Sequence, residues 1–195
     1  MKNDRFFIKL FKNIDLMIKE LMYEDVYDYA KDLKKTYPDA TEIDEKIKFI
    51  DRLLCFDILG KELVKYNGTD TNVVVPDGVT IIGKRCFAYN NTVKSIVLPD
   101  SIVEIEYDAF LNCEKLENIN LPQSIVKIGC GSFSNCLSLK EIVLPNNVEI
   151  LEDYTFEGCR NLVSIELPIN LKKIGKRVLY ECTSLEEVKN IKQHL

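Results

Sequence analysis

A fixed step of 23 residues runs through most of this 195-residue chain. Five of the six prolines, Pro76, Pro99, Pro122, Pro145 and Pro168, follow one another at that step. Phe87, Phe110, Phe133 and Phe156 keep it, with Leu179 in the fifth place. Cys113, Cys136, Cys159 and Cys182 keep it, with Asn90 in the first place. Val93, Leu116, Leu139, Leu162 and Leu185 keep it again. Four columns in one register, without an insertion, define an internal repeat. A unit this short cannot bury its own apolar face. Stacked units bury it against one another, so the chain is constrained to an array whose stability is a sum of units and interfaces.

Two short apolar segments recur in each unit. Ile119-x-Leu121 returns as Ile96/Leu98, Ile142/Leu144 and Ile165/Leu167, and the alternation predicts a strand with one buried face. The proline that follows has no N–H for a ladder and ends that strand. Ile125-x-x-Ile128 returns as Val79/Ile82, Ile102/Ile105, Val148/Leu151 and Leu171/Ile174. Gly83, Gly129 and Gly175 close this segment. Glu106 and Glu152 share their column, so a positive φ is not required there. The stretch onward to the Cys column is too short for a regular helix and predicts a turn or two of α or 3₁₀. Turns are expected about 4.8 Å apart, with the phenylalanines as one internal stack.

The unit resembles the leucine-rich repeats of the BspA-like class. The resemblance rests on Leu-x-x-Ile-x-Leu-Pro-x-x-Ile-x-x-Ile-Gly-x-x-x-Phe-x-x-Cys, as in Leu116 to Cys136, and covers about residues 61–190. Asn67-Gly68-Thr69-Asp70, ahead of Val73-Val74-Val75-Pro76, looks like the hairpin that opens many such arrays. The resemblance implies a curved right-handed solenoid used for protein interaction, often at cell surfaces.

Residues 1–60 lie outside the repeat and are expected to form an α-helical cap or accessory domain, with the solenoid of about five units over 61–195. Phe6, Phe7, Leu10, Phe11, Ile14, Met17, Ile18 and Leu21 recur at helical spacing. A second helix is predicted from about Glu24 to Lys35, ended by Tyr37-Pro38. Asp39-x-x-Glu42 fits a capping box that opens a third, with Ile43, Ile47, Ile50, Leu53 and Leu54 on one face. Cys55 is expected in the helical core. Leu59-Gly60-Lys61 reads as a turn into Leu63-Val64-Lys65-Tyr66.

Composition narrows the function. The net charge of −5 argues against nucleic acid as main partner, since phosphate contacts need clustered Lys and Arg. No apolar run approaches the roughly 20 residues of a membrane span. The start Met1-Lys2-Asn3-Asp4-Arg5 leads into an apolar stretch broken by Lys9, Lys12, Asp15, Lys19 and Glu20. That is an amphipathic helix rather than an export signal, so a cytoplasmic location with free thiols is expected. A 23-residue spacing lines thiols along a row instead of converging them on a metal. The single His, His194, leaves no base near a cysteine. No cofactor, metal or catalytic residue is expected. A cell-surface or secreted adhesin-type protein lacking its export signal in this chain and a thiol-based enzyme or redox sensor are the rival readings.

Binding is expected along the outward position of the first strand, filled by Val74, Val97, Asn120, Val143, Glu166 and Lys189. The matching position of the second segment holds Ile81, Glu104, Lys127, Ile150 and Lys173. Solvated strand positions ordinarily carry polar side chains, which makes Val74, Val97 and Val143 the candidate contacts for a protein partner. Self-association would run through residues 1–60.

Overall fold

The computed structural model describes residues 12–17, 20 and 23–191. The chain divides into two compact units, Met1–Phe56 and Asp57–Leu195.

The first unit is helical over residues 12–17, in α1 (Tyr23–Thr36) and in α2 (Thr41–Leu53). Ile14, Val26, Ala30 and Ile50 form its core, with Met17, Tyr27, Leu33, Ile47 and Leu54 packed against them. Val26 and Ala30 lie one turn apart on α1, and Ile43, Ile47 and Ile50 share one face of α2. The predicted capping box does not form. α2 starts at Thr41 behind an extended Ala40, which makes no side-chain cap bond. This start puts Glu42 one position too early to reach back as the third helical residue. Glu42 and Asp44 in the first turn still complement the helix dipole. Lys34 spans the α1–α2 connection, donating to the Ala40 carbonyl at 3.3 Å and pairing with Asp44 at 2.6 Å. The expectations for Phe6, Phe7, Leu10, Phe11, Ile18 and Leu21 fall outside the described residues.

The second unit opens with a hairpin. β1 (Phe56–Leu59) and β2 (Glu62–Tyr66) are joined by Gly60-Lys61, with Gly60 at φ 64°. The hairpin is therefore not at Asn67–Asp70, which is a loop carrying the chain to β3 (Asn72–Val74). Second-segment strands β4 (Ile81–Ile82), β6 (Glu104–Ile105), β8 (Lys127–Ile128), β10 (Ile150–Leu151) and β12 (Lys173–Ile174) extend this hairpin into one seven-stranded sheet. First-segment strands form two separate three-stranded sheets. One holds β3, β5 (Ser95–Val97) and β7 (Asn118–Ile119). The other holds β9 (Glu141–Val143), β11 (Ser164–Glu166) and β13 (Glu187–Lys189). Among the repeat strands paired residues differ by 23 in number, as in Val73↔Ile96 and Ile142↔Ile165, so the sequence step is the strand register; β2, outside the repeat, pairs with β4 at a difference of 19.

Between the second strand and the Cys column the chain makes successive i→i+3 turns. In the first repeat Cys86 N–H donates to Gly83, Ala88 to Arg85 and Asn90 to Phe87. A left-handed residue separates them in every unit. Arg85, Asp108, Gly131, Tyr154 and Arg177 form one such column, and Tyr89, Asn112, Asn135, Gly158 and Glu181 the other. Each flip turns alternate N–H groups toward the next coil. Arg85, Phe87 and Tyr89 donate to Tyr107, Ala109 and Leu111 at 3.2, 2.8 and 2.8 Å. The loops thus make a third ladder, which holds non-glycine residues in a conformation they otherwise avoid.

The phenylalanines stack inside. Ring centroids of Phe87, Phe110, Phe133 and Phe156 are 5.3, 5.1 and 5.3 Å apart in sequence, and all four rings are buried. Tyr66 starts the column 5.1 Å from Phe87. It precedes Phe87 by 21 residues rather than 23, which hid it in the sequence. Several expected core positions differ, and Leu179 and Leu185 of the last coil are only half-buried. Ile119 and Leu121 are only half-buried, while their counterparts Ile96, Leu98, Ile142 and Leu144 are buried. Ile174 is exposed, because β12 is the edge strand of its sheet and no further strand pairs with it among the described residues.

Candidate interaction face

On the first-strand face the outward side chains stand in register. Val74 lies beside Val97, and Val143 beside Glu166, which lies beside Lys189. Val74, Val97 and Val143 are 66%, 47% and 56% exposed. Lys189 pairs along its own strand with Glu187 at 3.6 Å. Asn120 does not share this arrangement. Its side-chain Oδ1 accepts from Leu98 N–H at 2.7 Å, and its Nδ2 donates to the Leu98 carbonyl at 3.1 Å. It remains exposed but is also tied to the preceding coil by these two bonds. The face is accordingly two patches, an apolar pair at Val74 and Val97 and a mixed group at Val143, Glu166 and Lys189.

Between the patches the surface opens into a cleft of about 540 Å³ lined by Glu117, Asn118, Ser138, Lys140, Glu141 and Asn161. Glu117 is held by Lys94 at 3.1 Å. Ser138 donates to the Glu114 carbonyl at 2.7 Å, and Asn161 to that of Leu137 at 2.7 Å. The sequence reading missed this cleft. On the second-strand face Glu104 and Lys127 form an ion pair, which raises the Lys127 pKa, and Ile150 is exposed.

A family model for the BspA-type leucine-rich repeat region matches residues 59–193 in six copies. The chain belongs to that family. Among solved structures it is similar to a leucine-rich cell surface protein from Faecalibacterium prausnitzii, with 31% identity over 66% of this chain and 34% of the other, TM-score 0.63. It is also similar to a leucine-rich repeat protein of T. pallidum, with 25% identity over 70% of this chain and 80% of the other, TM-score 0.65. The pneumococcal vaccine antigen PcpA matches at 26% identity over 66% of this chain and 32% of the other, TM-score 0.58. The chain thus spans about a third of the length of the first and last of these. No curated protein matches it. Among the described residues no helix is long and apolar enough to cross a membrane.

The cysteines of this BspA-type array are packing groups. Cys113, Cys136, Cys159 and Cys182 each donate S–H to the carbonyl 26 residues earlier, at Phe87, Phe110, Phe133 and Phe156, with Sγ···O of 3.0 to 3.3 Å. Burial pushes the thiols of Cys113 and Cys159 up to about 12 and that of Cys182 to about 11, and holds Cys136 well above the ordinary thiol range. Asn90, in the first place of the column, instead accepts from Thr92 and Val93 N–H at 3.0 Å each. Cys130, off the column, is also raised by burial and by Asp108 and Asp153. A nucleophilic thiol needs the opposite shift. Because the fold favours the neutral form, the stability these thiols contribute is complete below about pH 8.5 and is lost as pH rises toward about 12. Native alkylation at pH 8 is expected to modify Cys113 and Cys159 at least about 10³-fold more slowly than a free thiol, and Cys136 also more slowly. One fast cysteine among them would restore the thiol-enzyme or sensor reading.

Proposed function

We propose that this BspA-type array is a non-catalytic module that docks a protein partner along its first-strand face, with Val74 and Val97 as the apolar anchor and Val143, Glu166 and Lys189 as a second contact. One observation carries the reading: exposed valines on adjacent rungs of a solvated sheet, where polar side chains are the rule. Membership in a repeat family supports it, since stacked units present equivalent positions as an extended surface. The helical residues 1–60 act in this reading as a cap or accessory domain and as the route to self-association. The test is affinity capture from lysate of the producing cells, with Val97→Lys/Val143→Glu beside the natural chain. Recovery of the partner is expected to fall at least tenfold, about 1.4 kcal/mol, while the unfolding midpoint stays put, because surface changes cost little. Unchanged recovery would move the site elsewhere.

A second reading, a cell-surface adhesin-type protein in place of a cytoplasmic one, is favoured by the likeness to the F. prausnitzii cell surface protein. Protease treatment of intact producing cells separates the two locations. Loss of the protein from intact cells supports the surface, and survival until lysis supports the cytoplasm.

A further inference from the structure

The coils are not joined equally. Along the first-strand side, four of the five junctions carry a pair of bonds from consecutive N–H groups to one carbonyl. Lys94 and Ser95 donate to Thr71, Glu117 and Asn118 to Lys94, Val163 and Ser164 to Lys140, and Glu186 and Glu187 to Val163. The corresponding donors at the remaining junction, Lys140 and Glu141, make no such bond to Glu117. The first-strand sheet stops at β7 and restarts at β9 at this place.

The second-strand side loosens at the same junction. Gly83, Glu106, Gly129 and Gly175 each donate to the preceding coil, to Leu63, Ile82, Ile105 and Leu151 at 2.7 to 2.9 Å, but Glu152 does not donate to Ile128. Lys172 and Val126 reach the carbonyls of Glu149 and Val103, whereas Glu149 does not reach Val126. Only one residue pair, Leu151↔Ile128, remains in register there. The loop side stays closed. Gly131, Phe133 and Asn135 donate to Asp153, Thr155 and Glu157 at 3.0, 2.9 and 2.7 Å, over the stacked rings of Phe133 and Phe156.

We propose that the junction between the coil of β7–β8 and the coil of β9–β10 is a built-in hinge, shut along its loops, open along the first-strand ladder and loosened to a single paired position along the second-strand ladder. Two residues unlatch it. Asn120 turns its side-chain amide to Leu98 in place of its backbone carbonyl, which ends β7 at Ile119 and leaves Leu121 half-buried. Glu152 sits in the column of Gly129 and Gly175, where an added Cβ would lie 2.6 Å from backbone of the preceding coil. A side chain there makes the coil stand off. Glu106, in the same column, recovers contact by accepting Lys84 N–H at 3.0 Å, whereas Glu152 makes no such bond. Opening at this junction changes the angle between the Val74/Val97 patch and the Val143/Glu166/Lys189 patch without unstacking the aromatic column.

Residue-resolved amide exchange of the full chain tests this. After correction for intrinsic rates, Lys140, Glu141, Glu149 and Glu152 are expected to exchange at least tenfold faster than Glu117, Asn118, Val126 and Gly129 of the preceding junction. Gly131, Phe133 and Asn135 stay as slow as Asp108, Phe110 and Asn112. Asn120→Val is expected to slow Lys140 and Glu141 at least tenfold, and Glu152→Gly to slow Glu149 and position 152. Equal protection at both junctions in the natural chain overturns the hinge. Fast exchange of the loop amides as well would make the site a general weak point, which also overturns it. If either variant misfolds, the natural chain alone decides. None of these outcomes depends on the proposed partner.

Discussion

Phe133→Ala is expected to cost about 3–5 kcal/mol. The ring is buried, with Phe110 at 5.1 Å on one side and Phe156 at 5.3 Å on the other. Alanine removes transfer energy, leaves a cavity and breaks two ring contacts at once. The neighbours cannot collapse into the space, because Phe133 N–H and Phe110 N–H are tied to Thr155 and Ser132 by the loop ladder at 2.9 and 2.8 Å. Position also matters. In a stacked array stability passes from neighbour to neighbour, so a lesion in a middle coil uncouples both sides. Equilibrium urea unfolding of the two proteins is the measurement. A loss below about 1 kcal/mol would mean that the column is not the spine of the fold.

Gly129→Ala is expected to cost about 1–3 kcal/mol through overpacking, although glycine-to-alanine changes often stabilise where the backbone permits. Gly129 does not have a positive φ, so conformational freedom is not the reason for it. The reason is approach. A Cβ there would lie 2.6 Å from Tyr107 N and 2.7 Å from the Glu106 carbonyl carbon, both backbone atoms that cannot swing aside. The coil would have to lift, stretching the 2.8 Å bond from Gly129 N–H to Ile105. Glu106 is tolerated in this column because its carboxylate takes the Lys84 N–H, and an alanine methyl has nothing to offer in exchange. Urea unfolding reads the cost, and amide exchange at position 129 reads the cause. A stabilised variant would show that the coils have room to spare.

The face proposed for binding was only partly legible in the sequence. Val74, Val97 and Val143 stand out because one column of a strand pattern is apolar where water is expected. Asn120 was counted in the same column on register alone. Register assigns a position on a face, but it does not say whether a side chain leaves the surface or folds back onto the neighbouring backbone. The cleft beside Lys140 and Glu141 was invisible for the same reason, since it is made by bonds that are missing between residues 23 apart. The left-handed columns were equally hidden. Arg85, Tyr154 and Glu181 carry no local preference for positive φ, and the conformation is imposed by the ladder to the next coil.

The 23-residue step by itself determined the stacking, the strand register and the aromatic spine, because in-register coils place every residue beside the one a full step away, and like columns then bury like side chains. The tertiary structure alone decided where the stack is weak. Whether two adjacent coils close their ladders depends on distances of a few tenths of an ångström, set by a Cβ at 152 and an amide at 120, and no periodic pattern records these.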